Sequence, residues 1–195
     1  MNARIADPRL PTLSKSMAWS MLTCMSEFTT WVAAQTGGLR LTPVHRRAAL
    51  LAALYAIVVL SAWSVLLDTV VFADALPVGH REFHTAPLWP RTFLFSIKAF
   101  SEELLWRLLV LTALVMIGVR LFGRAPAAWF VLAIALAQLA CIWPAIPSDP
   151  AYVMLRYWPP GCVWGWLYWR HGWISAALGH GAVHLVLDPL LFWVI

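Results

Sequence analysis

The stretch "AALLAALYAIVVLSAWSVLLDTVVFA", residues 48–73, decides the class of this chain. Its side chains are apolar almost throughout, with Asp68 the only ionisable carboxyl group. A helix rising ~1.5 Å per residue crosses a ~30 Å hydrocarbon core in about 20 residues, so this segment is long enough to span a bilayer. Four further stretches read the same way. One runs from about Thr92 to Val119. The next is "PAAWFVLAIALAQLACIW", residues 126–143, with Pro126 suited to a first helical turn. A fourth lies between Tyr152 and Trp169, loosened by Pro159, Pro160 and Gly161, and the last begins at Trp173 and runs to the C-terminus.

Composition agrees. The 195 residues are 62% hydrophobic and 12% charged, with a mean hydropathy of +0.74. Soluble domains are nearer half apolar and a quarter charged. The expected fold is therefore all-α, a polytopic transmembrane bundle of about five spanning helices plus an N-terminal interfacial helix. That helix is assigned to "MAWSMLTCMSEFTTWVAA", residues 17–34, which is apolar but carries Glu27 and suits the membrane surface better than a crossing. Residues 1–47 form a cytoplasmic or interfacial region and residues 48–195 the transmembrane domain. Residues 1–15 lack the apolar core of a secretory signal, so no cleaved leader is expected. Neither an internal repeat nor a soluble domain is evident.

The net charge of +5 does not argue for nucleic acid, because six of the fourteen Lys and Arg precede the first span. Arg4, Arg9, Lys15, Arg40, Arg46 and Arg47 lie there, Arg120 and Arg124 follow the second span, and Arg170 follows the fourth. The opposite side carries Arg81 and Arg91, and "PAIPSDPA" holds no Lys or Arg. The positive-inside rule then puts the N-terminus in the cytoplasm of a cell whose inner membrane holds this multi-pass chain. Thirteen Trp fit two interfaces where amphipathic rings settle. Cys24, Cys141 and Cys162 are odd in number and form no CxxC, so neither a disulfide framework nor a thiolate metal site is indicated.

Against this background "SEELLWRLL", residues 101–109, stands out. Charges at bilayer depth cost about 2.5–3.5 kcal/mol each on insertion scales and usually face a partner or a functional cavity. Glu103 and Arg107 are four apart and share a helical face in the favourable Glu-first order. Glu102 projects about 100° away, toward a different wall. A buried structural ion pair would explain Glu103 and Arg107 alone, but it does not need the adjacent Glu102, which could serve as a general base toward water. In the last segment His180 and His184 are likewise four apart, with Asp188 one turn on. A lone membrane histidine is most often a packing residue; two on one face with an aspartate are harder to dismiss. Gly179 and Gly181 leave room for a helix or substrate to approach. Counting ~1.5 Å per residue from each boundary puts Glu102, His180 and His184 all near the midplane.

Glu102, Glu103 and Arg107 complete an EExxxR motif, and "LYWRHGWISAALGHGAVH" supplies a later histidine segment after a short Gly turn. Together they resemble the CAAX prenyl protease and bacteriocin-processing (Abi) family of glutamate-type intramembrane proteases, with a protease-like core at about 92–190. The resemblance implies that Glu102 and a middle-motif histidine activate water, while the last histidine and its Asn or Asp stabilise the oxyanion. His180 falls on the last motif's histidine by its spacing from Gly172. Its Asn or Asp is replaced by His184, whereas the alternative register of His184 with Asp188 restores that pair. In the middle Phe-x-x-x-His motif, Ile134 and Gln138 occupy the two places. Gln138 can hold a water but cannot take its proton. Glu102 then carries the base role alone, or His184 stands in.

The function expected is an intramembrane endopeptidase acting on a membrane-embedded peptide or protein tail, with catalytic Glu102, Glu103, Arg107, His180 and His184 and supporting Gln138 and Asp188. No cofactor, metal or nucleic acid is expected; the partners are the substrate and the lipid bilayer. Two alternatives stay open. One is a non-catalytic relative that binds a membrane peptide in an immunity or chaperone role, favoured by Gln138. The other is a metal-dependent variant in which His180 and His184 form a zinc pair completed by Glu102 or Glu103.

Overall fold

The computed structural model describes residues 15–76, 80 and 86–194, and no side chains for residues 15–22, 24 and 25. Arg4, Arg9 and Arg81 of the charge count, the side chains of Lys15 and Cys24, and the leader reading of the first residues lie outside the described residues. Among the described residues the chain forms six helices and no strand. They are α1 (Lys15–Thr36), α2 (Arg46–Val71), α3 (Leu88–Phe122), α4 (Ala127–Ala145), α5 (Pro150–His171) and α6 (Trp173–Val194).

α2, α3, α4 and α6 are long and apolar enough to cross a membrane. Their outer faces carry Tyr55, Val58, Phe93, Val131, Leu178 and Trp193, each more than half exposed. Such a belt would drive aggregation in water and is what a lipid-facing surface requires. α5, the expected fourth span, does not meet the same apolar standard, yet it traverses the same layer. Near the end of α2, Asp68 takes a bond from Arg156, and Trp63 Nε1 donates to the Leu155 carbonyl. Just before the start of α2, the Arg40 and Leu41 carbonyls accept from the Trp173 and Ile174 amides that follow α5. α5 thus runs antiparallel to α2 over its full depth. Four of the five expected spans thus meet that standard, and α5 packs along α2 as a further long helix of the bundle without meeting it.

α5 tolerates Pro159 because a neighbouring helix replaces the bond it removes. Pro159 has no N–H for the Leu155 carbonyl, and the Trp63 indole takes that place at 3.0 Å. The helix ends at Gly172, whose φ of 91° suits glycine. A Cβ there would also come within 2.8 Å of the Thr42 carbonyl carbon. Gly172→Ala should therefore cost about 1–3 kcal/mol, read as a lowered melting temperature in detergent. An unchanged melt would mean that the α5–α6 turn is not the constraint it looks to be.

α1 is not among the helices apolar enough to cross. It packs on the end of α3, burying Val32 and Thr36 and leaving Phe28 and Trp31 half exposed and stacked. This is the arrangement expected of an interfacial helix.

Two segments depart from the 3.6-residue period. Leu67–Val71 at the end of α2 and Glu103–Leu111 within α3 wind as π-helix, with the Phe72 amide bonded to the Leu67 carbonyl. Each opens beside a fully buried carboxylate, Asp68 in one and Glu103 in the other. π-turns of this kind recur at functional sites.

Candidate active site

α3, α4, α5 and α6 bring the EExxxR motif, Gln138 and the paired histidines together at mid-depth. Antiparallel packing of α3 on α6 sets the register. Ser96 Oγ donates to the Gly181 carbonyl, Trp173 Nε1 to the Glu103 carbonyl and Arg91 Nη2 to the Asp188 carbonyl. Between the helices lies a cavity of about 550 Å³, lined in part by Glu102, Gln138, His180, His184 and Asp188. That volume suits a short peptide segment.

The two glutamates separate as the sequence suggests, but the α-helical spacing argument is replaced by π-winding from Glu103 onward. Glu102 is on the cavity wall, 31% exposed, with Lys98 Nζ at 3.7 Å. Lys98 is mostly exposed, so this contact is loose and weakly stabilising. Glu103 is not on the wall. It is fully buried behind it, with Arg107 Nε at 3.4 Å and His180 Nδ1 at 2.9 Å from the same Oε1.

Because a carboxylate only accepts, the contact requires the proton on Nδ1 of His180. The Nε2 side of the ring is then left for the cavity that His180 lines. His184 Nδ1 stands in the same relation to Asp188 Oδ1, at 3.2 Å. Both histidines are therefore oriented by carboxylates, each its own. Trp164 stacks on His180 at 5.3 Å, His180 on His184 at 6.2 Å, and Phe95 on His184 at 5.1 Å. Trp164 and Phe95 thus bracket the two imidazoles in one stack of four rings.

Gln138 has a structural task. Its Oε1 accepts from Arg107 Nη2 at 2.7 Å, and its Nε2 donates to the Tyr157 carbonyl at 3.0 Å. Arg107 Nη2 also donates to the Gly161 carbonyl at 3.2 Å. The amide sits against Gly161 so closely that an added Cβ would fall on it. One turn along, a Cβ on Gly165 would lie 2.7 Å from Ile134. Small residues four apart on α5 thus receive larger ones four apart on α4, a common membrane-helix contact. Gly161→Ala should force the helices apart and loosen Arg107. We expect a loss of about 1–3 kcal/mol and a fall in melting temperature larger than for a lipid-facing Leu178→Ala control. Equal melts for the two variants would contradict the tight α4–α5 contact.

Several features of this site were not singled out from sequence: Lys98, Trp164, Phe95, Gly161 as the seat of Gln138, and a second charged group at the far end of the cavity. That group joins Asp68, His80, Tyr152 and Arg156. The lone acid in the first span and the lone base in the fourth were its available signal, since intramembrane charges pair. His180 and His184 each face a separate carboxylate, and among the described residues no three His, Cys, Asp or Glu side chains converge as a metal site would require.

The model for the type II CAAX prenyl endopeptidase Rce1-like family fits residues 84–186, slightly more than half of the chain. It spans the EExxxR motif, Gln138, His180 and His184. No curated protein and no solved structure matches the chain.

Proposed function

The chain belongs to the type II CAAX prenyl endopeptidase Rce1-like family, and from that premise we propose that it is an intramembrane endopeptidase in which Glu102 activates the attacking water. The observation that carries this reading is the division of labour between the two glutamates. Glu102 alone meets the cavity, while Glu103 is tied behind it to Arg107 and His180. Glu102 takes a proton from water, the hydroxide adds to the scissile carbonyl, and the tetrahedral adduct collapses with cleavage of the C–N bond as Glu102 returns the proton to the leaving amine. With Nδ1 of His180 and His184 engaged by Glu103 and Asp188, Nε2 of a neutral ring accepts from the water, and Nε2–H of a doubly protonated ring donates to the carbonyl oxygen. Glu103 and Arg107 are positioning residues in this scheme. Gln138 supports Arg107 and takes no proton.

The substrate is a membrane-embedded tail, such as a sorting signal, a leader peptide or the C-terminal anchor of an exported protein. The bundle end that bears Arg40, Arg46, Arg47, Arg120, Arg124 and Arg170 faces the cytoplasm, with the chain in the inner membrane. The test is cleavage of membrane-tethered peptide tails by purified protein in lipid nanodiscs, read by mass spectrometry with and without a strong chelator. Chelator-resistant products are expected. Activity lost to chelation and restored by zinc would point to a metal-dependent reaction instead.

One observation favours a second reading, a peptide-binding relative without activity. The middle-motif place belongs to Gln138, whose amide oxygen and nitrogen both serve the fold. On that reading tails bind and no products form.

A further inference from the structure

At the end of the cavity away from the motif glutamates lies a charged cluster that the hydrolytic scheme does not use. Asp68 is fully buried. It accepts from Arg156 Nε at 3.0 Å and 3.1 Å on its two oxygens, and from the Tyr152 hydroxyl at 2.9 Å. His80 Nε2 lies 3.5 Å from Asp68 and 3.2 Å from the Tyr152 oxygen. Asp68 is thus fully engaged, but Arg156 is not. A guanidinium has five N–H donors, and among the described residues only Nε has a hydrogen-bond partner.

Arg156 is 8% exposed and lines the cavity. The Asp68 bonds and the Tyr157 ring, 5.4 Å from the guanidinium carbon, fix the plane of the group. A planar pair of unused Nη donors on a cavity wall matches a carboxylate, which it can grip with two parallel bonds.

We infer that Arg156 binds the free C-terminal carboxylate of the peptide tail, an assignment that rests on the protease reading and gives its substrate a direction. Arg156 precedes Gly161, the residue that meets Arg107, by five positions of α5, about 7.5 Å at ~1.5 Å per residue. Extended peptide advances ~3.3 Å per residue, so a tail held at Arg156 reaches the level of the catalytic groups within a few residues. Leu60, Ile142, Val183 and Leu187 line the same cavity and provide an apolar path. A lipid phosphate fits less well, because Arg156 is buried inside the bundle rather than at its rim.

The test is binding, so that it does not depend on turnover. Full-length protein in nanodiscs is titrated with the tetrapeptide acetyl-Val-Leu-Ala-Leu, once as the free acid and once as the C-terminal amide. The acid should bind about tenfold or more tightly than the amide, as charge-assisted bonds imply. Arg156→Lys, which keeps the charge beside Asp68 but loses the fork, should reduce the preference severalfold. The paired change Asp68→Asn with Arg156→Gln removes both charges together and should abolish it, with the melting temperature confirming a folded protein. Equal affinities for acid and amide, no binding of either, or a preference that survives the paired change would each overturn the assignment. So would displacement of the acid by dihexanoyl phosphatidylglycerol at matched concentration, which would make the site one for lipid phosphate. Failure of the protease reading shows elsewhere, in cleavage assays, and leaves these affinities unchanged.

Discussion

Arg107→Ala should cost the protein roughly 3–5 kcal/mol and much of its folded yield, the usual consequence of removing one member of a buried ion pair. Three groups lose a donor at once: the Glu103 carboxylate, the Gln138 amide oxygen and the Gly161 carbonyl. Glu103 has no water to turn to, being fully buried. The pair is not itself a strong source of stability. Its closest approach is 3.4 Å, and Arg107 Nη1 and Glu103 Oε2 have no hydrogen-bond partner among the described residues. The damage comes from leaving a charge alone. Combining Arg107→Met with Glu103→Gln should therefore be less harmful than Arg107→Ala by itself, because no buried charge is left over. Thermal melts in a single detergent decide the matter. A wild-type melt for Arg107→Ala would show that Arg107 is not holding Glu103.

The bundle was legible because its signal is long-range and simple. Runs such as residues 48–73 and 126–143 have no stable place except lipid, whatever their neighbours do. α5, expected from sequence to be apolar enough to span, falls short of the standard that four other helices meet; its Arg156 and Pro159 are matched by Asp68 and Trp63 on α2. That is a tertiary fact. Glu103 with Arg107 and His184 with Asp188 were readable as i, i+4 pairs. Contacts between distant helices were not, and the one between His180 and Glu103 is the clearest case. Which glutamate would meet the cavity depended on π-winding at Glu103, a local distortion with no sequence period of its own. The role of Gln138 was likewise hidden. Its identity suggested a weak water ligand, whereas its surroundings make it a clasp between Arg107 and Tyr157.

Glu102→Gln should lower cleavage by about 10²–10⁴-fold, the range associated with loss of a general base. The fold should survive, because Glu102 is partly exposed and its contact with Lys98 is long. Glutamine keeps the shape and the hydrogen-bonding capacity but cannot take a proton from water, so tails should still bind. Glu103→Gln is the informative contrast. It should disturb both Arg107 and the orientation of His180, and hence lower the melting temperature together with the activity. The account stands or falls on one comparison: the rate of tail cleavage by wild-type and Glu102→Gln protein, in the same nanodiscs and at matched melting temperature and tail affinity. The predicted result is product from the wild type and at least a hundredfold less from the variant. Full activity in the folded Glu102→Gln protein would contradict the central claim, because the only motif glutamate on the cavity wall would then not be the base.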